Sequence, residues 1–220
     1  LQLRASYGSF NTRNLSGNIT INKNKFSTYL SANHAYTDGY RPNTDFLTNN
    51  GYAKIGYALN PHWNISADVS QAFYEANDNG PVYLPAPYHI DISRGRTSLS
   101  INNQHEKHEG VIRIYHNYGK HTLSDGWIST DYNSGLMAYQ HWKINQNWQL
   151  TGGVDFIQLS GLGNKGLNAN KFLRMQSGAV YIQSRYNLFQ QIAFNGGLRY
   201  ESNSIFGSEW VYNGGINWEA

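Results

Sequence analysis

The fold of this chain is decided by the alternating stretch WNISADVSQAFY at residues 63–74. Apolar side chains hold the odd positions Trp63, Ile65 and Val69, while the even positions from 64 to 70 carry asparagine, serine and aspartate. A period of two gives a strand two distinct faces, and no helical spacing reproduces it. The stretch therefore predicts a β-strand with one apolar face and one polar face.

The same alternation recurs through the rest of the sequence. It is clearest after Trp148, after Gln191 and after Glu209, where apolar and polar residues again alternate. We place twelve strands at Gln2–Gly8, Arg13–Asn22, Phe26–Thr37, Thr48–Leu59, Trp63–Tyr74, Arg94–Asn103, Glu109–Tyr118, Ser129–Lys143, Trp148–Leu159, Arg174–Asn187, Gln191–Glu201 and Glu209–Glu219.

The links between these strands alternate in length, apart from a tight first hairpin at 9–12. Because antiparallel strands alternate direction, short links collect on one rim and longer ones on the other, as in barrels that cross an outer membrane. The predicted fold class is an all-β, antiparallel up-and-down transmembrane β-barrel. The short links lie at 23–25, 60–61, 104–108, 145–147 and 188–190, and the longer ones at 38–47, 75–93, 119–128, 160–173 and 202–208.

Composition supports the same class. The 220 residues have a mean hydropathy of −0.59 and only 14% charged residues, whereas an average soluble domain has about 25%. Without cysteine, disulfide and thiolate chemistry are excluded, and a scattered net charge of +3 argues against nucleic acid as a partner. Aromatic residues near strand ends match the girdles of membrane barrels: Phe26, Tyr36, Tyr57, Trp63, Phe73, Trp142, Trp148, Tyr200, Trp210 and Trp218.

Several stretches also carry a family resemblance. They are ASYGSFNT at 5–12, TDGYRPN at 37–43, NGYAKIGY at 50–57, SDGWISTDY at 124–132, and GGLRY at 196–200 with FGSEW at 206–210. In order and spacing they resemble the barrel domain of TonB-dependent outer-membrane receptors, especially the vitamin B12 and siderophore transporter group of Bacteroidetes type.

This resemblance implies a barrel of about 22 strands closed around a plug. Such a receptor binds a scarce nutrient at its extracellular loops, as a metal chelate, siderophore or cobalamin-like cargo, and imports it with energy delivered by TonB through the plug. We therefore expect a multi-pass protein of a Gram-negative outer membrane, in contact with lipid, with a surface lipoprotein as a further candidate partner. Catalytic residues, cofactors and a resident metal are not expected.

The sequence departs from that family in containing no stretch that resembles a plug, a TonB-contacting box or the closing strands. Residues 1–220 are therefore expected to be a partial barrel domain, the front half of a larger one. Ligand binding is expected in the longer links, where aromatic planes and one guanidinium suit planar or anionic cargo. The candidate residues are Tyr40, Arg41, Asp78, Tyr83, Tyr88 and Trp127.

Two segments contain residue types that can bind a metal ion. His105, Glu106, His108 and Glu109 form the densest set of possible ligands, but neighbours in a strand point to opposite sides, so we favour a solvated turn. The acidic segment 77–80 lacks the spacing of a calcium loop and is better interpreted as a plain turn.

A hydrolase is the enzymatic alternative. His34, His116, His121 and His141 lie near strand ends, yet none has a serine at a fixed short spacing, so we favour interfacial or lumenal histidines. If the apolar parity faces lipid, the inward charges are Lys54, Asp68, Arg113, Asp131, Asp155, Arg185, Arg199 and Glu201. These inward charges are compatible with contact with a plug and equally with a hydrated inner wall.

Two other architectures stay open at this point. A free-standing barrel of about twelve strands, acting as a channel or a surface enzyme, explains the strand count without further chain. A soluble sandwich would also alternate, but it would turn its apolar faces inward and need no aromatic girdles.

Overall fold

A computed structural model describes residues 1–189 and 191–218. Within them the chain forms twelve strands and no helix, and accordingly no helix long and apolar enough to span a membrane is found there. The strands are β1 (Gln2–Gly8), β2 (Thr12–Lys23), β3 (Phe26–Thr37), β4 (Phe46–Asn60), β5 (Trp63–Asp78), β6 (Tyr88–Gln104), β7 (His108–Leu123), β8 (Ile128–Lys143), β9 (Trp148–Gly163), β10 (Leu173–Phe189), β11 (Ile192–Asn203) and β12 (Gly207–Trp218).

The twelve strands form one sheet in sequence order, and every neighbouring pair is antiparallel. This is the predicted up-and-down arrangement. Among residues 1–189 and 191–218, β1 pairs only with β2 and β12 only with β11, so both edges are open. The accessible surface is 14921 Å², whereas a compact protein of this mass exposes about 10,000 Å². The sheet is therefore a single layer with two exposed faces.

Paired residues form continuous rows across the sheet. We call the face that carries Val154 the outer face and the face that carries Asp155 the inner face. One outer row joins Ile65, Ile101, Ile112, Ala138, Val154, Val180, Tyr200 and Trp210. The matching inner row joins Ser66, Ser100, Arg113, Met137, Asp155, Ala179, Glu201 and Glu209.

Burial distinguishes the two faces. Large outer side chains remain open to the surroundings: Ile112 is 50% exposed and Val180 is 54% exposed. The most buried side chains all lie on the inner face, although several of them are small or polar: Ile92, Ser100, Val111, Ala179 and Ala193. Side chains crowd on the concave side of a curved sheet and spread on its convex side. The inner face is therefore the concave one, and the predicted inward charges all lie on it.

Two rims bound the sheet. The upper rim carries the links at 38–45, 79–87, 124–127 and 164–172, and the lower rim carries those at 24–25, 61–62, 105–107 and 144–147. The predicted separation into longer and shorter links is confirmed only for 38–45, 79–87 and 164–172. The upper link 124–127 is no longer than 144–147, and the link predicted at 202–208 spans only 204–206. The predicted link at 188–190 and the predicted strand end at Glu219 include residues outside the described part of the chain.

The apolar band of the outer face crosses the rows obliquely. On β3 to β5 it extends upward from the Ile65 row to Leu30, Val69 and Phe73, whereas on β11 and β12 it extends downward to Phe194 and Ile216. Its centre shifts by about four rows over eight strands. With rows about 6.8 Å apart and strands about 4.8 Å apart, that slope corresponds to a tilt of about 35°, within the range of transmembrane barrels.

Four strand ends at the upper rim were predicted wrongly, and one of them is the end of β9, at Gly163 instead of Leu159. β5 ends four residues later than expected, β6 begins at Tyr88 instead of Arg94, and β7 continues to Leu123 instead of Tyr118. The predicted links 75–93 and 119–128 consequently shrink to 79–87 and 124–127. The cause is a reversal of parity, because Ile90 and Ile92 face inward here although the apolar residues farther down β6 face outward.

Candidate functional site

The links of the upper rim are tied to one another. Arg41 in the β3–β4 link donates from Nη1 to the Gly80 carbonyl oxygen at 3.1 Å, and Asn79 donates from Nδ2 to the Pro42 carbonyl oxygen at 3.1 Å. Tyr40 and Tyr83 stay 72% and 88% exposed. Two of the predicted binding residues are therefore presented as open aromatic side chains, and Arg41 supports the neighbouring link.

Asp78 forms a turn at the end of β5. Its Oδ1 accepts a hydrogen bond from the Gly80 amide at 2.8 Å, and Gly80 has a left-handed φ of 65° that a side chain would strain. The neighbouring Asn77 donates from Nδ2 to Asp45 Oδ1 at 2.8 Å. Within residues 1–189 and 191–218, no three His, Cys, Asp or Glu side chains converge to hold a metal. The segment is an ordinary hydrogen-bonded turn.

Tyr88, Asp125 and Trp127 are close neighbours where β6 begins and the β7–β8 link passes. Tyr88 donates to the Asp125 carboxylate, and the Trp127 amide donates to Asp125 Oδ1 at 2.7 Å. Lys165 Nζ from the β9–β10 link lies 3.3 Å from Asp125 Oδ2. The Trp127 amide, followed by Lys165, holds the pKa of Asp125 below its usual value. A carboxylate that stays charged therefore joins three upper links.

Trp127 covers a depression of the inner face. Its ring stacks on His121 with centroids 6.0 Å apart and planes 14° apart. A Cβ on Gly163 would lie 3.7 Å from the indole Nε1, an ordinary van der Waals distance, so the ring lies close to the backbone of β9. The depression has a volume of about 570 Å³, and we call it the upper pocket. Its walls include Trp127, Leu159, Leu173, Met175 and Ile205, with Lys165 and Lys171 among its polar lining.

Lower on the inner face, opposite charges pair directly. Arg199 Nη1 lies 2.7 Å from Asp155 Oδ2, and Arg199 Nε lies 3.1 Å from Glu201 Oε2. Arg96 Nη2 likewise lies 3.1 Å from Asp68 Oδ1. Residues 155 and 199 are two strands apart, so the pair bridges over β10. Three carboxylates of this part of the inner face are thus paired with arginines.

At the lower rim, the segment interpreted as a solvated turn contributes two histidines to a stack of three rings. His62 from the β4–β5 link stacks on His105 at 4.4 Å, and His105 stacks on His108 at 4.3 Å. Burial lowers the pKa of His105 below its usual 6.5, and the charges of His108 and His62 lower it further. Sequence reasoning missed His62 because it is 43 residues from His105 and meets it only through strand pairing.

Two serine and histidine pairs were also missed, since each pair spans two strands. His116 Nδ1 lies 2.7 Å from Ser134 Oγ on the outer face, between the rings of two tyrosines. His121 Nδ1 lies 3.2 Å from Ser129 Oγ and 3.7 Å from an Asp131 carboxylate oxygen. A hydrolase relay needs serine and carboxylate on opposite ring nitrogens, but at His121 both approach Nδ1, and no carboxylate among the described residues pairs with His116. These contacts orient side chains and form no such relay.

Comparison with known proteins adds fold information. No protein-family model and no curated protein matches the sequence. Among solved structures, the siderophore receptor PirA from Pseudomonas aeruginosa superposes with a TM-score of 0.82 at 12% identity, over 95% of this chain and 37% of its own. This chain has the fold of an outer-membrane receptor wall.

Two further structures agree with that fold. The FrpB iron transporter from Neisseria meningitidis gives a TM-score of 0.83 at 13% identity, over 99% of this chain and 43% of its own. The alcaligin outer-membrane receptor FauA from Bordetella pertussis gives 0.78 at 11%, over 98% and 40%. This chain spans only about two fifths of the length of the solved receptors it matches.

Proposed function

We propose that this chain is a wall segment of a TonB-dependent receptor in a Gram-negative outer membrane. The observation that supports the proposal most is the oblique apolar band on the convex face, opposite a charged concave face. A soluble protein gains nothing from exposing Ile112, Val154 and Val180 in one continuous row, whereas acyl chains favour such a row.

The open edges favour a larger barrel over a free-standing one of twelve strands. Unpaired N–H and C=O groups cost several kcal/mol each in lipid, so an edge inside a membrane has to be paired. Within the described residues, β1 and β12 do not pair with each other. We therefore propose that further strands complete a barrel of about 22. A smaller channel or surface enzyme would instead require β1 to pair with β12.

The proposed cargo is a scarce nutrient such as a metal chelate, a siderophore or a cobalamin-like molecule. Solved structures of this fold are named for a siderophore, for iron and for copper, which supports that class. On this proposal the cargo first meets the upper rim, through Tyr40, Arg41, Asp78, Tyr83, Tyr88 and Trp127. The paired charges of the inner face would contact a plug through which TonB acts, and a surface lipoprotein remains a candidate partner.

Uptake measurements in the host bacterium test this function. We expect deletion of the gene to abolish accumulation of one labelled ferric siderophore or of cobalamin, and a protonophore to abolish the same uptake in cells that retain the gene. An unchanged uptake rate with the protonophore would favour a passive channel. Unchanged uptake of all these compounds after deletion would refute the cargo class.

A further inference from the structure

The upper pocket is an exception on the inner face, where alternation along the strands otherwise places mainly polar residues. Leu159, Leu173 and Met175 share that face with Asp131 and Asp155, where alternation would place polar residues. Leu159 is 38% exposed and Leu173 is 52% exposed. Apolar side chains facing a wet concave surface gain nothing from lipid. An exposed apolar patch in this position indicates a binding surface.

The shape of the patch suits a small molecule. Its volume of about 570 Å³ falls in the range of ligand sites, about 300 to 1,000 Å³. Gly161 and Gly163 lie on the inner face and leave the floor without side chains, while the Trp127 indole covers one end. A flat apolar group can therefore lie against the sheet and meet an aromatic plane.

The charge at the mouth of the pocket is positive. Lys165 is held by Asp125 at 3.3 Å, but no carboxylate in the described part of the chain pairs with Lys171. Asp131, the carboxylate that lines the pocket, is engaged by Arg94 Nη2 at 3.2 Å. An anion can therefore enter without meeting an uncompensated negative charge.

We propose that the upper pocket binds an amphipathic organic anion, whose apolar part lies on Leu159, Leu173 and Trp127 and whose acid group meets Lys171. This inference rests on the proposed receptor function and narrows its cargo to anions with an apolar moiety. The pocket selects for two properties at once: a ring or short chain that fills the depression, and an acid group at its mouth.

The test is calorimetric titration of the protein, purified from the cells that make it and placed in lipid nanodiscs, with empty discs as the blank. The probe is naphthalene-2-sulfonate. Its matched compounds are a naphthyl trimethylammonium ion, which reverses the charge, and methanesulfonate, which lacks the ring. We expect binding of the first probe at least tenfold tighter than that of either matched compound.

Two substitutions separate the two halves of the site. Lys171→Glu should weaken sulfonate binding about tenfold and strengthen binding of the cation, whereas Leu173→Asn should weaken binding of both naphthyl probes. Both side chains are exposed, so folding should be unaffected. The matched controls are Lys120→Glu, which lies on the outer face, and Leu84→Asn, which lies in the β5–β6 link. Neither should change binding.

Several results would overturn the proposal. Equal affinities for the anion and the cation would remove the charge requirement, and insensitivity to Leu173→Asn would remove the apolar one. Absence of binding to the native protein would refute the proposal, because the pocket would then not be available to such an anion. Binding is measured without transport, so these results are distinguishable from a failure of energised uptake, which concerns the proposed function.

Discussion

The lower and upper parts of β6 alternate with the same period of two, but their apolar residues lie on opposite faces of the sheet. In the lower part, Leu99 and Ile101 lie on the outer face and Ser100 is buried on the inner face. In the upper part, Ile90 and Ile92 lie on the inner face. The strand and its geometry are continuous, so the surroundings decide which face is apolar. Lipid below and water above, as the proposed function requires, account for both.

The same inversion occurs at β9. Val154 and Phe156 are outward and exposed, whereas Leu159, three residues farther along the strand, is inward and lines the upper pocket. Because the inversion occurs on two separate strands, a feature of β6 alone does not explain it. It places the upper boundary of the apolar band between residues 156 and 159 on β9.

The largest effect should come from placing a charge in the lower band. Val154→Arg should destabilise the folded protein in lipid by about 2 to 4 kcal/mol, because a guanidinium near the bilayer midplane loses its hydration. The matched change above the band is Asp91→Arg, on the same face, which should cost less than about 0.5 kcal/mol because that surface meets water. Urea unfolding in phospholipid vesicles measures both, and equal losses at the two positions would contradict the assigned boundary.

Removing an apolar side chain should have the opposite dependence on region, with a larger loss of stability above the apolar band than within it. Ile92 is only 9% exposed and packs within the inner face above the band, so Ile92→Ala should cost about 2 kcal/mol. Ile114 is 54% exposed on the outer face, and Ile114→Ala should cost less than about 1 kcal/mol because lipid fills the space. Hydrogen exchange at residues 88–93 should accelerate for the first variant alone. If the second variant lost more stability, the inner face would not be the packed one.

Sequence reasoning predicted the strands wherever apolar and polar residues alternate without a change of parity. The starts of β1, β3, β5 and β9 were placed at the observed residues, because continuous alternation leaves little freedom. It failed at Ile90 and Ile92 because their alternation has the opposite parity. Alternation alone does not indicate which face of a strand meets water, so the stretch with Ile90 and Ile92 was interpreted as a link.

The site was less predictable than the fold. Tyr40, Arg41 and Trp127 were correctly placed in links of the upper rim, but their role in binding stays a prediction. The upper pocket was missed because Leu159 and Leu173 come together only through the pairing of β9 with β10. Contacts of that kind depend on register, which local spacing along one strand does not contain.

A smaller effect is expected for the charges of the lower inner face. Arg199→Met removes the partner of Asp155 and Glu201, which are partly exposed, so the loss should be about 1 kcal/mol or less. The control is Arg185→Met on the same face, since Arg185 forms no ion pair within the described residues and bonds Asn187 instead. Thermal unfolding at low and high salt compares them. A larger loss for Arg185→Met would show that packing outweighs pairing there.

The smallest effect should be a local one at the lower rim, where His62, His105 and His108 stack. The lowered pKa of His105 means that the folded state binds fewer protons than the unfolded chain. Its contribution to stability is therefore complete above an ordinary histidine pKa of about 6.5 and is lost as the pH falls through the lowered value.

Charged residues lie near His105, but they do not cause its lowered pKa. Glu106 and Lys107 share the link with His105, and Glu109 follows His108 at the start of β7, yet the lowered pKa of His105 arises from burial and the two other imidazoles. After correction for the intrinsic pH dependence of amide exchange, hydrogen exchange at 104–108 should accelerate between pH 7.5 and pH 5. His105→Phe keeps an aromatic ring in the stack but adds no proton, so its exchange should stay slow at pH 5. Equal acceleration in the variant and the native protein would mean that the stack does not respond to protonation.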